Sequence, residues 1–266
     1  MEKILHINGQ PVLCRITGAG LPVMLVHGFG VDGRLWENQV PILEKKFMII
    51  VPDLPGSAQS GLPASVSMEA LADSLRQILD ELQIPACVMI GHSMGGYVTL
   101  AFAEKYPGRL KAFGLFHSGG YADNEEKITT RRRGIQFINE QGVVKFLEQA
   151  NRNLFSEEFK TQHPDTVQEI IERFTNFLPQ SLVSYYEAMI QRPDRTAILK
   201  KFGKPVLFIL GKYDKAIPLE QGLEQCYLPV LSFVHILNHS AHLGMLEEAT
   251  TSTGLLENFL MNYEIE

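Results

Sequence analysis

The chain reads as an α/β protein: a mostly parallel eight-stranded sheet flanked by helices, with a helical cap inserted between two halves of the sheet. Three observations carry this reading. Short, nearly continuous apolar runs recur along the chain, helix-period patterns alternate with them, and the alternation stops between about Tyr121 and Thr196. Strands with apolar residues at every position are covered on both faces, as in parallel sheets. Regular exchange of strand and helix builds the crossover units of such a sheet.

The elements follow in order. Ile4 to Ile7 and Val12 to Ile16 flank Asn8-Gly9, a hairpin turn signal that joins two antiparallel strands. The runs Pro22 to Val26, Phe47 to Val51, Ala86 to Ile90, Ala112 to Phe116, Val206 to Leu210 and Ser232 to Leu237 are the remaining strands, each read as covered on both sides. Ser67 to Gln83 places Met68, Leu71, Leu75, Ile78, Leu79 and Leu82 on one helical face; Gly96 to Tyr106 stops at Pro107; Ala249 to Tyr263 closes the chain. Residues 1–120 and 197–266 are therefore assigned to one core and residues 121–196 to the cap. The Pro, Gly and Ser cluster from Asp53 to Pro63 is a loop.

Bulk properties narrow the function. A chain of 266 residues buries a sizeable core without staples, and a formal net charge of −6 argues against nucleic acid as a partner. No basic leader with an apolar stretch and no run approaching 18 apolar residues is present, which predicts a cytoplasmic protein without a membrane span. Cys14, Cys87 and Cys226 are odd in number and far apart, and read as reduced core thiols.

The chemistry gathers around Gly91-His92-Ser93-Met94-Gly95, which lies between an apolar strand and a helical pattern. A serine at such a sharp turn is a candidate nucleophile, and the flanking glycines avoid collision with neighbouring backbone. Acyl hydrolysis also needs a base, a carboxylate to orient it and donors for the oxyanion. Asp214 follows the Val206 to Leu210 strand through Gly211-Lys212-Tyr213, and His242 follows the Ser232 to Leu237 strand. All three candidates stand beyond the carboxyl ends of strands, where open α/β sheets bind ligands.

With these residues in hand, the chain resembles the α/β-hydrolase superfamily over nearly its whole length. The resemblance rests on His27-Gly28-Phe29-Gly30, on Asp53-Leu54-Pro55-Gly56-Ser57-Ala58-Gln59-Ser60, on the serine turn with Gly96, and on Gly211 to Asp214 paired with His242 to Glu247. It implies Ser93 as nucleophile, Asp214 and His242 as its partners, and the backbone N–H groups of Phe29 and Met94 as the oxyanion hole. Ala58 departs from the family, whose members usually carry a second glycine there, and this bears on loop shape rather than on catalysis.

Each residue also has a plainer reading. His6 and His235 fall inside strands, His163 precedes Pro164 in the cap, His92 supports the turn, and His27 holds loop geometry. His117, after the sixth strand, is a candidate for the pocket border, and Asp123 is the only nearby carboxylate at the family's alternative acid position. His239 competes with His242 but follows the strand too closely and lacks the spacing to Glu247; without a third ligand, His239 and His242 do not make a metal site. Phe137, Phe146, Phe155, Phe159, Phe174, Phe177, Tyr185, Tyr186 and Met189 mostly pack the cap, and the remainder line an apolar pocket above Ser93. Arg131, Arg132 and Arg133 fan over a wide helical arc, so at most one points into the site and a solvated face is the ordinary outcome.

The expectation is a cofactor-free serine hydrolase of a small ester, lactone or thioester with an apolar portion. A carbon-carbon bond hydrolase, a haloperoxidase or perhydrolase, and a hydrolase-fold receptor are the alternatives.

Overall fold

Strands form where the apolar runs lie: β1 (Glu2–Ile7), β2 (Gln10–Thr17), β3 (Pro22–Val26), β4 (Met48–Pro52), β5 (Cys87–His92), β6 (Leu110–Phe116), β7 (Val206–Gly211) and β8 (Ser232–Leu237). A computed structural model of the chain describes residues 1–263; residues 264–266, assigned above to the core, lie outside the described residues. The strands make one sheet in the order β1-β2-β4-β3-β5-β6-β7-β8. β1 and β2 form the predicted hairpin, with Asn8 and Gly9 both at positive φ in the turn. β2 meets β4 antiparallel, and every later pairing is parallel.

Helices cover the sheet. In the core lie α1 (Val40–Leu43), α2 (Met68–Glu81) and α3 (Met94–Lys105). Between β6 and β7 come α4 (Glu125–Gln141), α5 (Val143–Arg152), α6 (Glu157–Gln162), α7 (Pro164–Arg173), α8 (Pro179–Gln191) and α9 (Thr196–Lys201). The chain closes with α10 (Leu219–Leu223), α11 (Gly244–Glu247) and α12 (Ala249–Met261). α2 starts because the Ser67 side chain accepts the Ala70 N–H at 3.0 Å, and it buries Met68, Leu71, Leu75, Ile78 and Leu79 on one stripe. Among the described residues no helix is long and apolar enough to cross a membrane.

Alternate residues of the central strands feed two separate cores. Met24 and Val26 of β3 pack with α2 and α3 on one face, whereas Val23 and Leu25 pack with Trp36, Phe116 and α12 on the other. β8 departs from the expectation of two covered faces. It is the sheet edge, so Val234 and Ile236 remain 39% exposed, and only the β7 side of its backbone is paired.

The chain runs from β3 outward to β4, then returns across β3 to β5 and continues the other way. The carboxyl ends of β3 and β5 therefore flank the point where strand order reverses, the crevice in which α/β sheets bind ligands. His27 to Gly30 leave β3 and Ser93 leaves β5 at that point.

Candidate active site

Ser93 sits between β5 and α3 at φ +51° and ψ −117°, a conformation that residues with a side chain rarely hold. Contacts on every side impose it. A Cβ on Gly91 would collide with the Gly95 carbonyl oxygen, one on Gly95 would lie 2.5 Å from the carbonyl oxygens of Val26 and His27, and one on Gly96 would strike Ser118. Ser93 N–H donates to Phe116 O at 3.0 Å, and Ser118 Oγ donates to Ser93 O at 2.8 Å, so β6 holds the turn from below.

His242 and Asp214 meet at 2.7 Å between Nδ1 and Oδ2, with both side chains nearly fully buried. Asp214 Oδ1 accepts the Ala216 and Ile217 N–H groups at 2.8 and 2.9 Å, which fixes the carboxylate in one orientation. The proton on His242 Nδ1 is thereby committed to Asp214, and Nε2 keeps its lone pair toward the cavity that Ser93 and His242 share. Ser93 Oγ hydrogen-bonds to no described residue; such contacts are commonly long before substrate arrives.

Phe29 N–H and Met94 N–H likewise donate to no described group. Met94 opens α3, where the N–H groups have no partner in the helix and the helix dipole is positive. Both amides lie just beyond the carboxyl ends of β3 and β5, which flank the strand-order reversal.

Histidines brace the site from behind. His27 Nδ1 donates to Gly28 O at 2.8 Å and its Nε2 accepts the Leu54 N–H at 2.9 Å, tying the loop after β3 to the loop after β4. His92 Nε2 donates to the carbonyl oxygen of His242 at 3.0 Å. His117 does not border the cavity. It is wholly buried, accepts the Gly244 N–H on Nε2 at 3.1 Å, and so carries its proton on Nδ1, 3.4 Å from Asp214 Oδ2. Burial holds the pKa of His27 down, and burial with the neighbouring histidines holds His92 and His117 well below the ordinary imidazole range. All three are neutral props.

The other histidine weighed as the base is elsewhere. His239 is 68% exposed and faces Glu158 at 3.3 Å. Asp123 turns away from His242 and lies between Arg131 and Arg192. The thiols offer no competing nucleophile, since burial pushes Cys14 and Cys87 up to about 12 and Cys226 up to about 11.

The shared cavity has a volume of about 160 Å³ and is lined mainly by Phe29, Val31, Leu154, Tyr186, Met189 and Ile217 around the polar atoms. Of the aromatic cap residues named from the sequence, Tyr186 reaches it, stacked on Phe29 with ring centroids 4.2 Å apart. Most of the others pack the inserted helices. A larger cavity of about 530 Å³ opens beside Lys212 and Asp214, but Ser93 and His242 are absent from its walls. Ser93 and His242 place the candidate site in the smaller one.

Two contributors, Asn151 and Leu154, carried no sequence signal that would single them out, and a third, Glu247, was marked only by its spacing from His242. Asn151 on α5 lines the cavity and donates to Gly30 O at 3.4 Å. Leu154 O accepts the His242 N–H at 2.9 Å. Glu247 Oε2 accepts the Ser156 N–H at 2.8 Å while its Oε1 accepts the Ala241 N–H at 3.0 Å, which explains its spacing from His242.

A doubly wound sheet with a strained serine and a carboxylate-bound imidazole at its reversal point defines a hydrolytic enzyme of the α/β class. A sequence model of the alpha/beta hydrolase fold family matches residues 22–249, and the chain belongs to that family. An uncharacterized protein of Mycobacterium tuberculosis is 35% identical over 115 residues, 43% of this chain and 34% of the relative, so the match spans about a third of that protein. A 2-hydroxymuconate semialdehyde hydrolase of a Pseudomonas strain is 25% identical over 92% of this chain and 88% of the relative. Among solved structures, a thermophilic esterase from Thermogutta terrifontis, solved with malate bound, superposes with a TM-score of 0.92 at 29% identity over 98% of each chain.

Proposed function

We propose that the protein is a serine hydrolase that cleaves a small ester, lactone or thioester through an acyl-enzyme on Ser93. The observation that carries this reading is the 2.7 Å contact of His242 Nδ1 with Asp214, which leaves Nε2 as an acceptor in the cavity that holds Ser93. Likeness to an esterase at 29% identity supports an acyl substrate.

His242 Nε2 takes the Ser93 proton as Oγ adds to the substrate carbonyl, and the Phe29 and Met94 amides take up the negative charge on its oxygen. His242 then protonates the departing alcohol or thiol. In the second half His242 deprotonates a water, which adds to the acyl carbon; collapse returns the proton to Ser93 Oγ and frees the acid. Asp214 stabilises the imidazolium in both halves without taking its proton. Residues 121–196 act in this scheme as a cap whose side chains select the acyl group.

Ser93→Ala is expected to lower kcat on short p-nitrophenyl esters at least about ten-thousand-fold and to abolish labelling by a fluorophosphonate probe. Turnover and labelling that survive the substitution would overturn the assignment.

A further inference from the structure

The cavity above Ser93 contains a charge that acyl hydrolysis does not use. Arg131, on α4, lines the same walls as Ser93 and His242, with its side chain 17% exposed. Its Nε and Nη2 donate to Asp123, at 2.5 and 3.2 Å, and its guanidinium carbon lies 5.6 Å from the centre of the Tyr186 ring. Nη1 hydrogen-bonds to no described residue.

Asp123 does not neutralise this cation, because it is shared. Its fully buried carboxylate also pairs with Arg192 at 2.9 Å, and Arg192, 4% exposed, lies 3.8 Å over the ring of Tyr97, another wall of the cavity. One carboxylate thus faces two guanidinium groups. Among the described residues no acidic side chain lines the cavity; apart from Arg131 its walls are apolar except for Ser93, Asn151, the two histidines and the tyrosines. Asp214 lies behind, engaged by His242. An unbalanced cation among apolar walls is unfavourable until an anion joins it, and a guanidinium with a free N–H edge fits a carboxylate.

We propose that Arg131 recognises a carboxylate on the acyl part of the substrate, so that the preferred substrates are half-esters of short dicarboxylic acids or lactones that bear a carboxylate. The inference rests on the serine-hydrolase reading for its chemistry, but the anion site can be tested apart from it. Arg131 is then a specificity residue. The small cavity sets the length: a chain of a few carbons fills it between Ser93 and the guanidinium.

The test compares monomethyl glutarate with its neutral analogue dimethyl glutarate by pH-stat, together with glutarate binding to Ser93→Ala by calorimetry. The wild type should favour the monoanion by at least tenfold in kcat/KM, and Arg131→Gln should bring the ratio to one or below, chiefly through KM. Arg131→Lys keeps the charge without the fork and should retain part of the preference, which controls for a folding defect in the glutamine variant. Glutarate should bind Ser93→Ala and fail to bind the Ser93→Ala, Arg131→Gln double variant. A wild-type ratio near one, or a parallel loss on both esters in Arg131→Gln, would overturn the carboxylate assignment while leaving the serine chemistry intact. Glutarate binding without turnover of either ester, and without fluorophosphonate labelling, would uphold the anion site and overturn the hydrolase reading instead.

Discussion

Ala58 and Ser93 both hold left-handed backbone, at φ +47° and φ +51°, for opposite reasons. Ser93 is driven there by the packing of its neighbours and gains a hydroxyl on the cavity wall at the carboxyl end of β5. Ala58, in the loop after β4, gains nothing comparable, and its Cβ makes the conformation unfavourable by roughly 1–2 kcal/mol. Ala58→Gly should therefore stabilise the protein by about 1 kcal/mol, read as a higher urea midpoint with an unchanged slope. At this scale the sequence was most legible where a residue type has one steric or chemical use. The elbow glycines, Ser93 after its strand, and Asp214 and His242 after theirs are of that kind. Arg131 was not, because a run of three arginines on a helix does not reveal which one turns inward; Arg132 and Arg133 are exposed. His117 resembled a pocket residue for a similar reason: its place after β6 was readable, but the Gly244 amide that turns its ring toward Asp214 comes from a distant loop.

Between elements, the face that α8 presents to the loop after β3 sets the size of the cavity and, in the proposed reaction, of the acyl group. Tyr186 and Met189 on α8 close the cavity over Phe29, and about 160 Å³ corresponds to a ligand of roughly benzene size. Short acyl esters should be turned over with kcat/KM at least about tenfold above octanoyl esters, and Tyr186→Ala should narrow that gap by opening the wall; a p-nitrophenyl ester series measures both. The existence of the inserted helices was legible because helical patterns followed one another without a strand. Their inward faces were not, since several cap helices are amphipathic and a helix between two neighbours has more than one side to bury. β8 shows the same gap from the strand side. Its apolar run looks like that of a central strand, and only the position at the sheet edge explains why Val234 and Ile236 meet solvent.

Over the whole molecule, the buried neutral histidines set the response to acid. His27, His92 and His117 have pKa values lowered by burial in the folded state, while in the unfolded chain they bind protons near the ordinary value of about 6.5. Below that pH the unfolded chain holds more protons than the folded one, so stability is full above about 6.5 and is lost as the pH falls toward the folded-state values. Each histidine contributes roughly 1.4 kcal/mol per pH unit within that window. Urea midpoints measured from pH 7.5 to 5 should fall steeply, and His117→Phe should reduce the slope by about one proton's worth; an unchanged slope would contradict the neutral assignment.

The hydrogen bond from His242 N–H to Leu154 O, with that from Ser156 N–H to Glu247, joins the base loop to the inserted helices rather than to the sheet alone. The insertion is thus part of the scaffold that aims the imidazole. In the proposed reaction, grafting a foreign segment in place of residues 121–196 would change which acids are accepted and also misalign the proton acceptor, unless Leu154 and Ser156 kept their backbone positions. New specificity in this chain is therefore more accessible through side-chain changes on α4 and α8 than through exchange of the whole segment.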